Sequence, residues 1–315
     1  MPPSPRRWPR LLLRALIPAT VWLAARVPNA TAVDIMDRVR SDLAAGQDVV
    51  VTSYVGFWYE HRGEPQLNLY WGALYGHDAM FDRAAEIEHR LPFLRITRYT
   101  TLVESGSESD PIATKVIAAP SAVAPEGGRS APGRIVVVYL GYRNLETAVV
   151  DMAIQLKTGR IPAALAGREE VAALLRRSYV VGYWGHNVHY GGREVDALRA
   201  IASTREDPRG VFVVGCQTAR WCPGRFLGGS IQPFLFATTN MAPEAYVALA
   251  LYDGLGRGLA RSAIRDHVAR AYQEYQRLPN PPGGLFRLGG DRDSCTGRLR
   301  RLVVEESEGS RTRVA

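Results

Sequence analysis

Ser178-Tyr-Val-Val-Gly-Tyr-Trp-Gly-His-Asn187 and Val211-Phe-Val-Val-Gly-Cys-Gln-Thr218 decide how this chain folds. Each is a short apolar run, rich in β-branched and aromatic residues, that stops at a glycine followed by a residue able to do chemistry. Unbroken apolar runs of this length mark strands buried on both faces, as in a parallel sheet. Between them Arg193-Glu-Val-Asp-Ala-Leu-Arg-Ala-Ile201 reads as a short helix, so the unit is strand, helix, strand. A right-handed crossover makes such strands parallel and brings His186 and Cys216 to one carboxyl edge. Open α/β sheets hold their sites at that edge.

The same pattern extends upstream. Ile35, Val39 and Leu43 recur at helical spacing, with Gly46 placed to stop the helix. Asp48-Val-Val-Val-Thr-Ser-Tyr-Val55 and Arg134-Ile-Val-Val-Val-Tyr-Leu140 read as core strands. Asn144 is suited to cap a helix running to about residue 156, and residues 167–177 form another. Helix is also predicted over 80–91, with strands over 93–103 and 112–119. The Ser-, Gly- and Pro-rich stretches 105–110 and 120–133 read as loops.

Downstream, Pro233-Phe-Leu-Phe-Ala-Thr-Thr239 predicts one further strand. After it Asn240-Met-Ala-Pro243 opens a helical region that breaks near residues 254–258 and resumes by Ser262. Ile264, Val268, Ala271 and Tyr275 stripe the second helix. Residues 279–315, rich in Pro and Gly and then in charge, read as a flexible tail.

Residues 1–32 combine a basic start, a short apolar run and Ala30-Thr-Ala32, the parts of a secretory signal, so export is expected. The run is too short to span a bilayer, and no stable membrane span is predicted. The net charge of +8 is carried almost wholly by arginine, the lysines being Lys115 and Lys157 alone. Five of the arginines fall in residues 1–32, and the cluster Arg298, Arg300 and Arg301 has no interleaved aromatics. Nucleic acid is therefore not an expected partner.

Cys216, Cys222 and Cys295 are too few for a disulfide scaffold. A Cys222–Cys295 bridge in an exported protein would leave Cys216 free. The phosphate-loop, dinucleotide, nucleophile-elbow and zincin signatures are all missing from the sequence. His186, His189, Cys216 and Cys222 fit no common zinc spacing, and neither metal nor cofactor is expected.

A thiol becomes a nucleophile when an imidazole takes its proton. Cys216 as nucleophile and His186 as base make acyl transfer followed by hydrolysis the expected chemistry. Backbone N–H groups at Gly185 and Cys216 are placed to meet an oxyanion. Asn187 or Asp78 is a candidate to orient the imidazole.

At these residues the chain resembles the caspase-like cysteine peptidases, which include caspases, gingipains and CHAT domains. The order is the same, His after one core strand and Cys after the next, and Gly215-Cys-Gln-Thr218 is similar to the Ala-Cys-Gln-Thr of CHAT domains. The likeness covers roughly residues 134–277. It implies a caspase-like three-layer α/β sandwich with a largely parallel sheet, spanning residues 33–278, and a peptide or protein substrate. The chain departs from the family's His-Gly pair, since Asn187 follows His186. Asn68-Leu-Tyr-Trp-Gly-Ala-Leu-Tyr-Gly76, Gly185-His-Asn187 and Met241-Ala-Pro-Glu-Ala-Tyr246 also resemble a bacterial family of unassigned function. The rival expectation is a non-catalytic exported binding module of the same fold, with its contact surface in the aromatic stretch 57–75. Oligomeric state is left open by either reading.

Overall fold

A computed structural model describes residues 34–56, 98–104, 111, 113–127, 131–185, 201–215, 218, 231–235, 237–238 and 245–288. Its first element is helix α1 (Ile35–Ala44), capped by the Asp34 carboxylate, which accepts from the Met36 N–H at 2.8 Å. Ile35, Val39 and Leu43 are buried along one side, as the spacing predicted, and the helix stops before Gly46.

Seven strands then form one sheet: β1 (Val49–Gly56), β2 (Arg98–Glu104), β3 (Ala113–Pro120), β4 (Arg134–Tyr142), β5 (Val180–Gly185), β6 (Arg209–Val214) and β7 (Ile231–Leu235). Their spatial order is β2-β3-β4-β1-β5-β6-β7. From β4 to β7 every neighbouring pair is parallel. β2 and β3 add an antiparallel ribbon on the β4 side. The protein is thus a mixed α/β fold around a mostly parallel sheet.

Helices cover both faces, which explains why the central strands read as continuous apolar runs. Val49, Val51, Val137, Tyr139, Trp184, Phe212 and Val214 pack with α1, α4 (Ala245–Gly256) and α5 (Arg261–Tyr275). The alternate residues Val50, Tyr54, Val138, Leu140, Val181, Tyr183 and Val213 pack with α2 (Leu145–Thr158) and α3 (Glu169–Arg177). Asn144 caps α2 as expected, its Oδ1 accepting from the Thr147 N–H at 3.0 Å. All of α4 is buried. An apolar helix with no solvent face has to lie inside, and this one is roofed by α1 and α5.

The sequence and the structure differ at two places downstream. The single strand expected at 233–239 is divided into β7 and a two-residue β8 (Ala237–Thr238). Pro233 has no N–H to offer the ladder, and the register with β6 slips between its partner Val211 and Phe212. β8 instead pairs antiparallel with β9 (Phe286–Arg287). The second difference follows from the first: Leu285 and Phe286 are buried against the core, so the packed unit runs past residue 278.

At the amino edge Arg209, only 1 % exposed, donates to the Gln155 and Leu156 carbonyls at the end of α2 and pairs with Asp207. A guanidinium there satisfies carbonyls that the helix leaves free and meets the negative end of its dipole. That edge is closed by structure. Function is sought at the other one.

Candidate active site

Strand order places a topological switch between β1 and β5. The chain leaves β1 toward the β2 side of the sheet, whereas it leaves β5 toward β6 and β7. Connections that diverge from neighbouring strands open a crevice between them, the usual ligand position in α/β sheets. The crevice here lies between Gly56 and Gly185, which are register partners and the last residues of their strands.

The backbone at this edge is packed to the limit. A Cβ on Gly185 would stand 2.6 Å from the Gly56 carbonyl oxygen, and Gly185 itself has φ +147°. One strand further, a Cβ on Gly215 would stand 2.1 Å from the Gly185 carbonyl oxygen. Real Cβ atoms do not approach backbone so closely, so these glycines let three strand ends converge. Gly215 follows β6, and Trp184 and Val214 are the last paired residues of β5 and β6.

Two side chains secure this edge. Thr218, fully buried, donates from Oγ1 to the Val213 carbonyl at 2.9 Å, so the chain is pinned on both sides of position 216. A threonine that folds back on its own backbone closes a turn in this way. Tyr183 brings its hydroxyl to the crevice, where a Cβ on Gly56 would stand 2.6 Å from it. Burial pushes its phenol far up, so the group stays protonated and remains a donor.

Of the residues singled out from sequence, Gly185 is placed at the crevice. Cys216, His186, Asn187 and Asp78 lie outside the described residues, as do the aromatic stretch 57–75, the helix expected at 80–91 and the secretory segment 1–32. The helix expected at 193–201 lies outside them too except for Ile201, which is not helical. The structure does fix the points from which the segments carrying these residues leave the sheet. Asp78 lies in the connection that leaves Gly56, His186 follows Gly185 directly, and Cys216 follows Gly215.

Sequence reading missed Gly56, Tyr183 and Thr218 as parts of this edge. Thr218 had a signal, since a hydroxyl residue two positions beyond Cys216 is placed to close a turn. The contribution of Tyr183 depends on strand adjacency, which no local pattern carries. Among the described residues no cluster of three or more His, Cys, Asp or Glu side chains is arranged to hold a metal ion. No helix among them is long and apolar enough to cross a membrane. No protein-family model matches the chain, and no curated protein matches it.

Proposed function

We propose that the protein is a cysteine peptidase or a related acyl-transfer hydrolase of caspase-like fold, acting on a peptide or protein substrate with Cys216 as nucleophile and His186 as base. The observation that carries this reading is the parallel pairing of β5 and β6, which ends level at Trp184 and Val214, so that His186 and Cys216 each stand two residues beyond it in sequence. The converging glycines support it, because a substrate carbonyl reaches backbone donors only where no side chain intervenes.

In this reading His186 takes the Cys216 proton and the thiolate sulfur forms a bond to the substrate carbonyl carbon. The C–N bond then breaks, with His186 returning the proton to the leaving amine. Water, deprotonated by His186, attacks the thioester carbonyl and releases the acid and the free thiol. The Gly185 and Cys216 N–H groups receive the oxyanion, and Asn187 or Asp78 orients the imidazole.

The test is the alkylation rate of each cysteine by iodoacetamide, from about pH 5 to about pH 9, in wild type and His186→Ala. Rapid labelling of Cys216 well below the free-thiol pKa of roughly 8.5, lost in the variant, is the expected result. Labelling that is the same in both proteins, or that needs denaturation, overturns the reading and favours the non-catalytic binding module.

A further inference from the structure

A cleft of about 550 Å³ lies on the outer side of α5, between that helix and the segment that returns through Pro281, Pro282 and Arg287. Its volume is in the range of a ligand site. Three guanidiniums line it, from Arg265, Arg270 and Arg287, against one carboxylate, from Asp266. Arg265 already donates to Asp266 at 3.0 Å. Among the described residues the Arg270 and Arg287 guanidiniums have neither a hydrogen-bond nor an ion-pair partner. The cleft therefore keeps two uncompensated positive charges.

Both walls are anchored. Ile264, Val268 and Ala271 seat α5 on the core, while Leu285 and Phe286 seat the returning segment, with Phe286 edge-on to Tyr272 at 6.0 Å. Ala269 and Phe286 add apolar lining between the charges. Guanidiniums are planar, weakly hydrated forks that match carboxylates, so fixed walls bearing free ones select that chemistry.

We infer that this cleft binds an acidic peptide, whose carboxylates meet Arg270 and Arg287. The assignment stands apart from the His186–Cys216 reading, because the cleft is built by other elements.

The test uses fluorescence anisotropy on the full chain, with a labelled Glu-Val-Glu-Val-Glu peptide as probe and its Gln-Val-Gln-Val-Gln counterpart as control. Binding of the acidic probe is expected to weaken about tenfold in the R270Q/R287Q variant and to weaken on raising salt from about 0.1 M to about 0.5 M. Neither guanidinium bonds to the other described residues, so this variant should keep the wild-type circular dichroism. A second variant, R160Q/R168Q, removes the same charge from exposed positions elsewhere and should bind as wild type does. Equal loss in that control, equal binding of the Gln peptide, or arginine-dependent binding of inorganic phosphate without binding of the acidic probe each overturns the assignment.

Discussion

The carbonyl oxygen of Gly185 occupies the space in which a side chain on Gly215 would begin, a Cβ there standing 2.1 Å away. This contact brings the ends of β5 and β6 together more closely than any other residue allows. Gly215→Ala should therefore force the two strand ends apart. The expected cost is about 1–3 kcal/mol, read as a lower urea midpoint. Under the proposed function the same variant should also lose rapid alkylation of Cys216 in the native state.

Gln155 ties β1 to both helices of one face. Buried to 1 % exposure, it accepts from the Tyr54 hydroxyl at 2.9 Å and donates to the Leu175 carbonyl at 2.8 Å and to Thr52 at 3.3 Å. Gln155→Leu keeps the bulk and removes these partners. The Leu175 carbonyl keeps the Ser178 N–H, so the Tyr54 and Thr52 hydroxyls are the groups left unmet, and at about 1–3 kcal/mol each a loss of roughly 2–6 kcal/mol is expected in equilibrium unfolding. Tyr54→Phe, which strands only one group, should cost less.

Asp48 joins the start of β1 to β4 through Arg134, which donates to it from its backbone N–H at 3.0 Å and from its guanidinium at 3.1 and 2.6 Å. Burial pushes the carboxyl up, but these hydrogen bonds and the charge of Arg134 outweigh it and hold the group below its ordinary range. A carboxylate depressed in the folded state stabilises the protein fully above the unfolded value of about 3.9. That stability is lost as pH falls through the lower folded value. Asp48→Asn should therefore be less stable at neutral pH by about 1 kcal/mol or less, the pair being partly exposed. The difference should close in strong acid, as shown by urea midpoints measured from about pH 7 down to about pH 2.

Asp253 sits inside α4 with its side chain 1 % exposed, and its Oδ2 meets His267 Nε2 on α5 at 2.7 Å and Arg257 Nε at 2.9 Å. One buried carboxylate thus holds the two helices together. His267→Ala should cost about 1–3 kcal/mol. Combined with Asp253→Asn, it should destabilise by less than the sum of the two single variants, since both remove one interaction. A double-mutant cycle by thermal or urea unfolding checks this. Strict additivity would show that the pair contributes nothing.

Much of the fold was legible because its signals are local. Asp34 with Ile35, Val39 and Leu43 specifies a capped amphipathic helix within a few turns, and Asn144 does the same for α2. The runs at residues 49–56, 134–142, 180–185 and 209–214 are short, largely apolar on successive positions and rich in valine, as strands covered on both faces are. β2 and β3 were legible as strands, but their antiparallel pairing and the docking of Leu285–Phe286 were not. Pairing direction is not written in either strand of the ribbon, and the docking depends on β8, far away in sequence, in a stretch whose composition reads as tail.

The sequence by itself determined most of the described strands and helices and that His186 and Cys216 each follow an apolar run that reads as a strand, because hydrophobic periodicity and turn residues act over a few neighbours. Tertiary structure alone decided that β1 lies between β4 and β5, and hence where the crevice opens. It likewise decided that Gly56, Gly185 and Gly215 converge, that the Tyr183 hydroxyl joins them, and that the Arg270 and Arg287 guanidiniums line one cleft with no partner among the described residues. Strand adjacency is set by how both faces of the whole sheet are buried at once. That is a property of the packed chain and of no stretch within it.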